Sequence, residues 1–276
     1  MPRYNINTTL ICLAILATRI VTSGAFLGGR SATATTATTS RQASRIYNAD
    51  DSSSSQTNDN DNDNDNDTDT DKMLMFESAG WKNIADNLSS FPLFTIATAE
   101  NNFVAYSISV GDDKTFNIPF FYCDVTEALV ELEKAQVNNK DYRLIPFPLN
   151  EAFKMWCDDK AVIVPSKASI LEAGAPAGTN QIGQRVPMWA CMEISEEQEG
   201  GLPPKLPIFM GLEDANAAVL EAVAGDKTKF DDLEVVCLSL DGAIEQLVTV
   251  PEETPSFHFV PPSKSIKYIE ENIEAP

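Results

Sequence analysis

From about residue 73 onward, short apolar runs alternate with amphipathic ones, and that alternation predicts the elements. Met73 to Leu88 sets Trp81, Ile84 and Leu88 on one side at helical spacing. Phe91 to Ala97 and Phe103 to Ile108 read as strands, with Glu100-Asn101-Asn102 between them as a hairpin signal. Asn117 to Tyr122 is a further strand. Asp124 is placed to cap the helix that follows, with Glu127 three residues on reaching back, and that helix buries Val125, Ala128, Leu129 and Leu132. Arg143 to Pro148 is a strand, Asn150 to Trp156 a short helix, Ala161 to Val164 a strand, and Ser166 opens a final turn. Gly174 to Gly183 reads as a linker. Beyond it come a strand at Val186 to Ile194 and an acidic loop at Glu196 to Pro204. A strand at Leu206 to Met210, a helix at Glu213 to Ala224 and a strand at Leu233 to Ser239 follow. The chain closes with a helix at Asp241 to Val248, a strand at Phe257 to Val260 and a helix at Ser263 to Ile273. Alternating strands and helices predict an α/β fold, or α+β layers.

The order of marks in residues 91–173 recurs in residues 186–273. Phe91-Pro92-Leu93-Phe94 answers Val186-Pro187-Met188-Trp189, and Ile118-Pro119-Phe120-Phe121 answers Leu206-Pro207-Ile208-Phe209. Leu149-Asn150-Glu151-Ala152-Phe153 answers Leu240-Asp241-Gly242-Ala243-Ile244, and Val164-Pro165-Ser166-Lys167 answers Val260-Pro261-Pro262-Ser263-Lys264. A period of roughly 95 residues is far longer than a solenoid repeat. It predicts two pseudo-symmetric α/β halves facing each other, with a cleft or a shared sheet between them.

The first 72 residues are of another kind. Leu10 to Ala17 is an apolar run too short to span a membrane, which takes about 20 apolar residues, and it fits a secretory signal over 1–25. Ser23-Gly24-Ala25 supplies small residues for cleavage between Ala25 and Phe26. Residues 26–49 hold no Asp or Glu and are rich in Ser, Thr, Ala and Arg, which is transit-peptide composition. A signal followed by Phe26 and such a stretch resembles the two-part address of plastid proteins in algae with complex plastids; the plainer alternative is a signal peptide with a low-complexity stalk. Residues 50–72, in which Asn58 to Asp71 alternates Asp with Asn or Thr, have no apolar residue to bury and read as a disordered linker. They lack the Gly and the closing Glu of a calcium loop. The globular part is then 73–276, with its halves at 91–173 and 186–273.

Charge and residue inventory exclude several function classes. Asp and Glu number 41 against 20 Lys and Arg, a net charge of −21, which is the wrong sign for nucleic acid. Nothing after residue 26 approaches membrane-spanning length, so contact with a membrane is peripheral. The single histidine, His258, leaves no two-histidine metal site. Its strand position faces it away from both Phe257 and Phe259. Cys123, Cys157, Cys191 and Cys237 are scattered, without a Cys-x-x-Cys pair, and read as small apolar residues. No catalytic residue, metal or cofactor is expected.

The ordered marks, apolar-Pro strand openings, Ile/Leu-Pro-apolar-Phe strands before Ala-rich helices, and Phe-Val-Pro-Pro-Ser before a closing helix, resemble one family over about Phe91 to Ile273. It is the twenty-two-kilodalton subunit (Tic) of the translocon at the inner envelope membrane of chloroplasts. That resemblance implies a butterfly of two α/β halves with apolar grooves. It implies a soluble, peripheral, chaperone-like protein between the envelope membranes of a plastid. Its partners would be precursor proteins in transit and translocon subunits. Binding many unfolded chains calls for exposed apolar area without precise polar readout. The candidate groove residues are therefore Phe120, Phe121, Trp189, Ile208, Phe209, Phe257 and Phe259. The alternatives are a non-catalytic structural adaptor of the translocon and a thioredoxin-like enzyme lacking its redox motif.

Overall fold

The computed structural model describes residues 4–6, 75–110, 114–198, 204–249 and 257–273. The Ala25–Phe26 junction and the segments 26–49 and 50–72 lie outside the described residues. The strands are β1 (Tyr4–Ile6), β2 (Pro92–Ala97), β3 (Ala105–Val110), β4 (Lys114–Tyr122), β5 (Arg143–Pro148) and β6 (Val162–Val164). They continue with β7 (Pro187–Cys191), β8 (Ile194–Glu196), β9 (Leu206–Phe209), β10 (Val235–Ser239) and β11 (Phe257–Val260). The helices are α1 (Ala79–Ser89), α2 (Val125–Ala135), α3 (Leu149–Cys157) and α4 (Lys167–Glu172), then α5 (Leu212–Ala222), α6 (Lys227–Asp231), α7 (Leu240–Val248) and α8 (Ser263–Asn272).

Two sheets carry the fold. In the first, β5 pairs antiparallel with β2, β2 antiparallel with β4, and β4 parallel with β6. In the second, β10 pairs antiparallel with β7, β7 antiparallel with β9, and β9 parallel with β11. Order and direction therefore correspond strand for strand. The helices follow suit: α2 comes after β4 as α5 comes after β9, α3 after β5 as α7 after β10, and α4 after β6 as α8 after β11. β3 adds a strand beside β4 in the first sheet. The strand expected over Val186 to Ile194 is interrupted at Met192-Glu193, which turns the chain from β7 into β8. β8 bridges to Lys205 on one side and pairs antiparallel with β1 on the other. β1 falls inside the segment 1–25 read as a signal peptide.

Period-two alternation sends each strand's apolar residues to both faces, and both faces are covered. One central cluster lies between the sheets. It joins Leu93, Phe121 and Ile163 of the first sheet to Met188, Ile208 and Phe259 of the second through Trp81 and Leu88 of α1, Phe153 of α3, and Ile244 and Leu247 of α7. On the far side of the first sheet, Phe94, Ile96, Phe120 and Tyr122 pack under α2, joined by Tyr268 and Ile269 of α8. On the far side of the second, Trp189, Cys191 and Phe209 pack under Ala215, Ala218 and Val219 of α5, joined by Ala173 at the end of α4. Each half's last helix thus reaches the outer cluster of the other half. Among the described residues the two sheets are separate rather than shared, and three helices pack between them.

Polar contacts hold this interlock. Asp124 Oδ1 caps α2 by accepting from the backbone N–H of Thr126 and Glu127, at 2.7 and 3.0 Å. Glu127 does not reach back to complete a capping box. Its carboxylate instead accepts from Lys167 N at 2.8 Å and from Gln181 Nε2, tying α2 to the start of α4 and to the linker. Asn87 Oδ1 on α1 accepts from Phe259 N on β11 at 2.6 Å. α1 and α7 approach so closely at Gly80 that a Cβ there would lie 2.0 Å from the carbonyl oxygen of Val248. Gly80→Ala is accordingly expected to cost about 3 kcal/mol by overpacking. The melting temperature then falls by roughly 6 to 12 °C. Calorimetry checks it, and an unchanged melting temperature contradicts the close approach.

Candidate functional site

Six of the seven expected groove residues are core. Phe121, Ile208 and Phe259 face the central cluster. Phe120, Trp189 and Phe209 face the outer clusters. The most exposed of the six is Phe120, at 7%. Alternation sends the two members of each Pro-apolar-Phe pair to opposite faces of their sheet. Helices on the far side of each sheet bury the second member as well, so these strands do not line a groove. Only Phe257 is half-buried, packed against the edge of the central cluster. Phe121→Ala is therefore a stability variant, with a cost of about 3 to 5 kcal/mol from transfer and cavity terms. Chemical denaturation measures it, and a variant with native stability places Phe121 outside the core.

Besides Phe257, the half-buried apolar residues that rim the central cluster include Phe103, Phe147, Trp156, Val236 and Leu238, none of them among the candidates. Phe147 on β5 stacks on Phe121 at 4.7 Å, and Phe103 meets both rings edge-on at 5.1 and 5.6 Å. Phe147 and Leu238 occupy corresponding places on β5 and β10, the outermost strands beside β2 and β7. The single-sequence pattern marks both strands as apolar without showing that they end their sheets.

The two edges are built differently. Leu149 N donates to Phe91 O at 2.9 Å, and Leu240 N donates to Val186 O at 2.9 Å. Backbone groups of an antiparallel strand alternate between its two sides. Residues 145 and 147 of β5 therefore bond inward to β2, and 144, 146 and 148 face outward. In β10, residues 236 and 238 bond inward to β7, and 235, 237 and 239 face outward. Two of the three outward positions of β5 are Pro146 and Pro148, which have no N–H to offer. The corresponding outward positions of β10 are Cys237 and Ser239, which keep theirs, as does Val235. β5 is a blunted edge and β10 an open one.

The charged and sulfur groups offer little reaction chemistry. Among the described residues, no group of three or more His, Cys, Asp or Glu is placed to hold a metal ion. His258 points away from the central cluster and pairs through Nδ1 with the Glu196 carboxylate. Burial pushes the Cys123 thiol up and the Cys191 thiol up to about 12. Cys237 is the exposed one of these cysteines, yet partial burial of its thiol pushes its pKa up to about 11. Its thiolate is scarce at neutral pH, and nucleophilic reactivity belongs to the thiolate. Maleimide labelling of Cys237, followed by peptide mass mapping, should be slow at pH 7 and rise nearly tenfold per pH unit up to about pH 11, while Cys123 and Cys191 stay unlabelled in the folded chain. A rate independent of pH contradicts the raised pKa.

These features describe a two-sheet α/β protein with a helix-filled core, an open strand edge at β10 and no catalytic constellation among the described residues. No family model matches the chain, and no curated relative matches it in sequence. Solved structures that match its fold include two Tic22 proteins. Tic22 of Anabaena, a protein of protein transport, superposes with a TM-score of 0.54 at 17% identity, over 71% of this chain and 98% of that one. Tic22 from Plasmodium falciparum superposes with a TM-score of 0.51 at 18% identity, over 70% of this chain and 99% of that one. The fold of this chain is the Tic22 fold.

Proposed function

We propose that this chain is a Tic22-family transport factor that assists precursor proteins across a plastid envelope, working between the translocons in a chaperone-like way and without catalysis. One observation carries the reading: the match to the two Tic22 structures runs over nearly their whole length, so it is a match of entire architecture rather than of one βαβ unit. The ordered sequence marks pointed to the same family. The N-terminal address over 1–49 supports a plastid destination, with the intermembrane space at the inner envelope as the compartment. No described helix is long and apolar enough to cross a membrane, which supports peripheral association. A protein of net charge −21 is also suited to basic, acid-free partners such as targeting segments.

The binding surface has to differ from the buried strands first expected. Handing a client onward calls for modest affinity; micromolar binding corresponds to about −8 kcal/mol. The test is aggregation of a chemically unfolded plastid precursor, followed by light scattering. Substoichiometric to equimolar amounts of this protein are expected to suppress it, and the same precursor in its folded state is expected not to bind. Undiminished aggregation would favour the structural adaptor over the escort.

A further inference from the structure

The β10 edge is the feature that the fold leaves unexplained. Other sheet edges are closed or unrewarding. β5 is blunted by Pro146 and Pro148. β11 has its Phe259 N–H taken by Asn87. β8 already carries β1. β3 has exposed Ala105 and Ser107 beside half-buried Tyr106 and Ile108, but no run of carboxylates like that before β10 precedes it. Among the described residues β10 is hydrogen-bonded to β7 alone and keeps its outward donors at Val235, Cys237 and Ser239. Half-buried Val236 and Leu238 lie along it and offer apolar contact to alternate side chains of an added strand. The strand itself holds no charge, while Asp231, Asp232 and Glu234, all exposed, crowd its entrance.

We infer that the open edge of β10 takes up an extended, basic, acid-free segment of a client polypeptide as an additional strand. This rests on the transport reading and gives it a site. Main-chain pairing suits such a task because it reads extended backbone rather than one sequence. The carboxylates at the entrance select the sign of charge and steer approach. A second copy of this chain suits the edge less well, since pairing would bring together two bodies that each carry a net charge of −21.

The probe is a fluorescein-labelled peptide with the sequence of residues 27–45, which carries Arg30, Arg41 and Arg45 and no acid. Fluorescence anisotropy with the full-length chain is expected to show saturable binding. Cys237→Pro copies the device of β5: it deletes one outward donor and leaves the β7 ladder intact. It is expected to weaken binding at least about tenfold, whereas Cys237→Ser, which keeps the N–H, leaves binding unchanged. Should Cys237→Pro not fold, the wild-type chain tested with the peptide N-methylated at alternate residues gives the same contrast, and that peptide is expected to bind at least about tenfold more weakly. Equal binding by folded Cys237→Pro, or by the N-methylated peptide, overturns the inference. So does sedimentation showing wild-type dimers that Cys237→Pro abolishes while no peptide binds, which assigns the edge to a second copy. If the protein holds unfolded precursors and Cys237→Pro holds them equally well, the transport reading stands and the β10 site falls. If the wild-type chain binds neither peptide nor precursor, both fall together.

Discussion

Everything in this fold follows from covering four sheet faces at once. Each sheet has apolar residues on both sides, so each needs a partner on both sides. α1, α3 and α7 serve the two inner faces together, and the result is one central cluster instead of two separate cores. The outer faces are closed by α2 and α5, and the last helix of each half crosses to help cover the other. Neither half keeps its surface buried without its neighbour. The contacts of Glu127 with Lys167 and Gln181, and of Asn87 with Phe259, sit where this exchange needs fixing.

That constraint also explains where binding does not occur. A chain that spends its aromatic residues closing four faces has none of Phe120, Phe121, Trp189, Ile208, Phe209 or Phe259 left for a partner. What remains at the surface is the rim of the central cluster and the ends of the sheets. Sheet ends are dangerous in a soluble protein because unpaired backbone groups recruit other strands. The two halves treat the hazard differently at corresponding positions, with prolines on β5 and free donors on β10. An unblunted edge is a liability unless it is used, and the proposed handling of extended chains would use it.

Much of the fold was legible in the sequence. Helical spacing at Trp81, Ile84 and Leu88, the cap at Asp124 and the run Phe257 to Val260 each gave an element that the structure contains. These are local signals, set by a few neighbouring residues. What escaped was decided at long range. Glu127 sits where a capping box would put it, but Lys167 and Gln181, 40 and 54 residues away, compete for its carboxylate and win. The split of the strand at Met192-Glu193, the short helix α6 and the pairing of β1 with β8 likewise depend on partners outside any window. The site was misread for the same reason. An apolar strand looks alike whether a helix covers its second face or a client does, and only the helices' placement tells them apart. The edge was hinted at in Ile145-Pro146-Phe147-Pro148 beside Val235-Val236-Cys237-Leu238-Ser239, where one strand has given up its donors and the other has not.

The central claim is that this protein contacts polypeptides in transit, and that it does so along β10. A photo-crosslinking amino acid placed singly at position 237 or at position 145, in protein delivered to plastids holding an arrested precursor, tests it most directly. The account predicts an adduct with the precursor from position 237 and none from position 145. Adducts from neither position, or equal adducts from both, would contradict it.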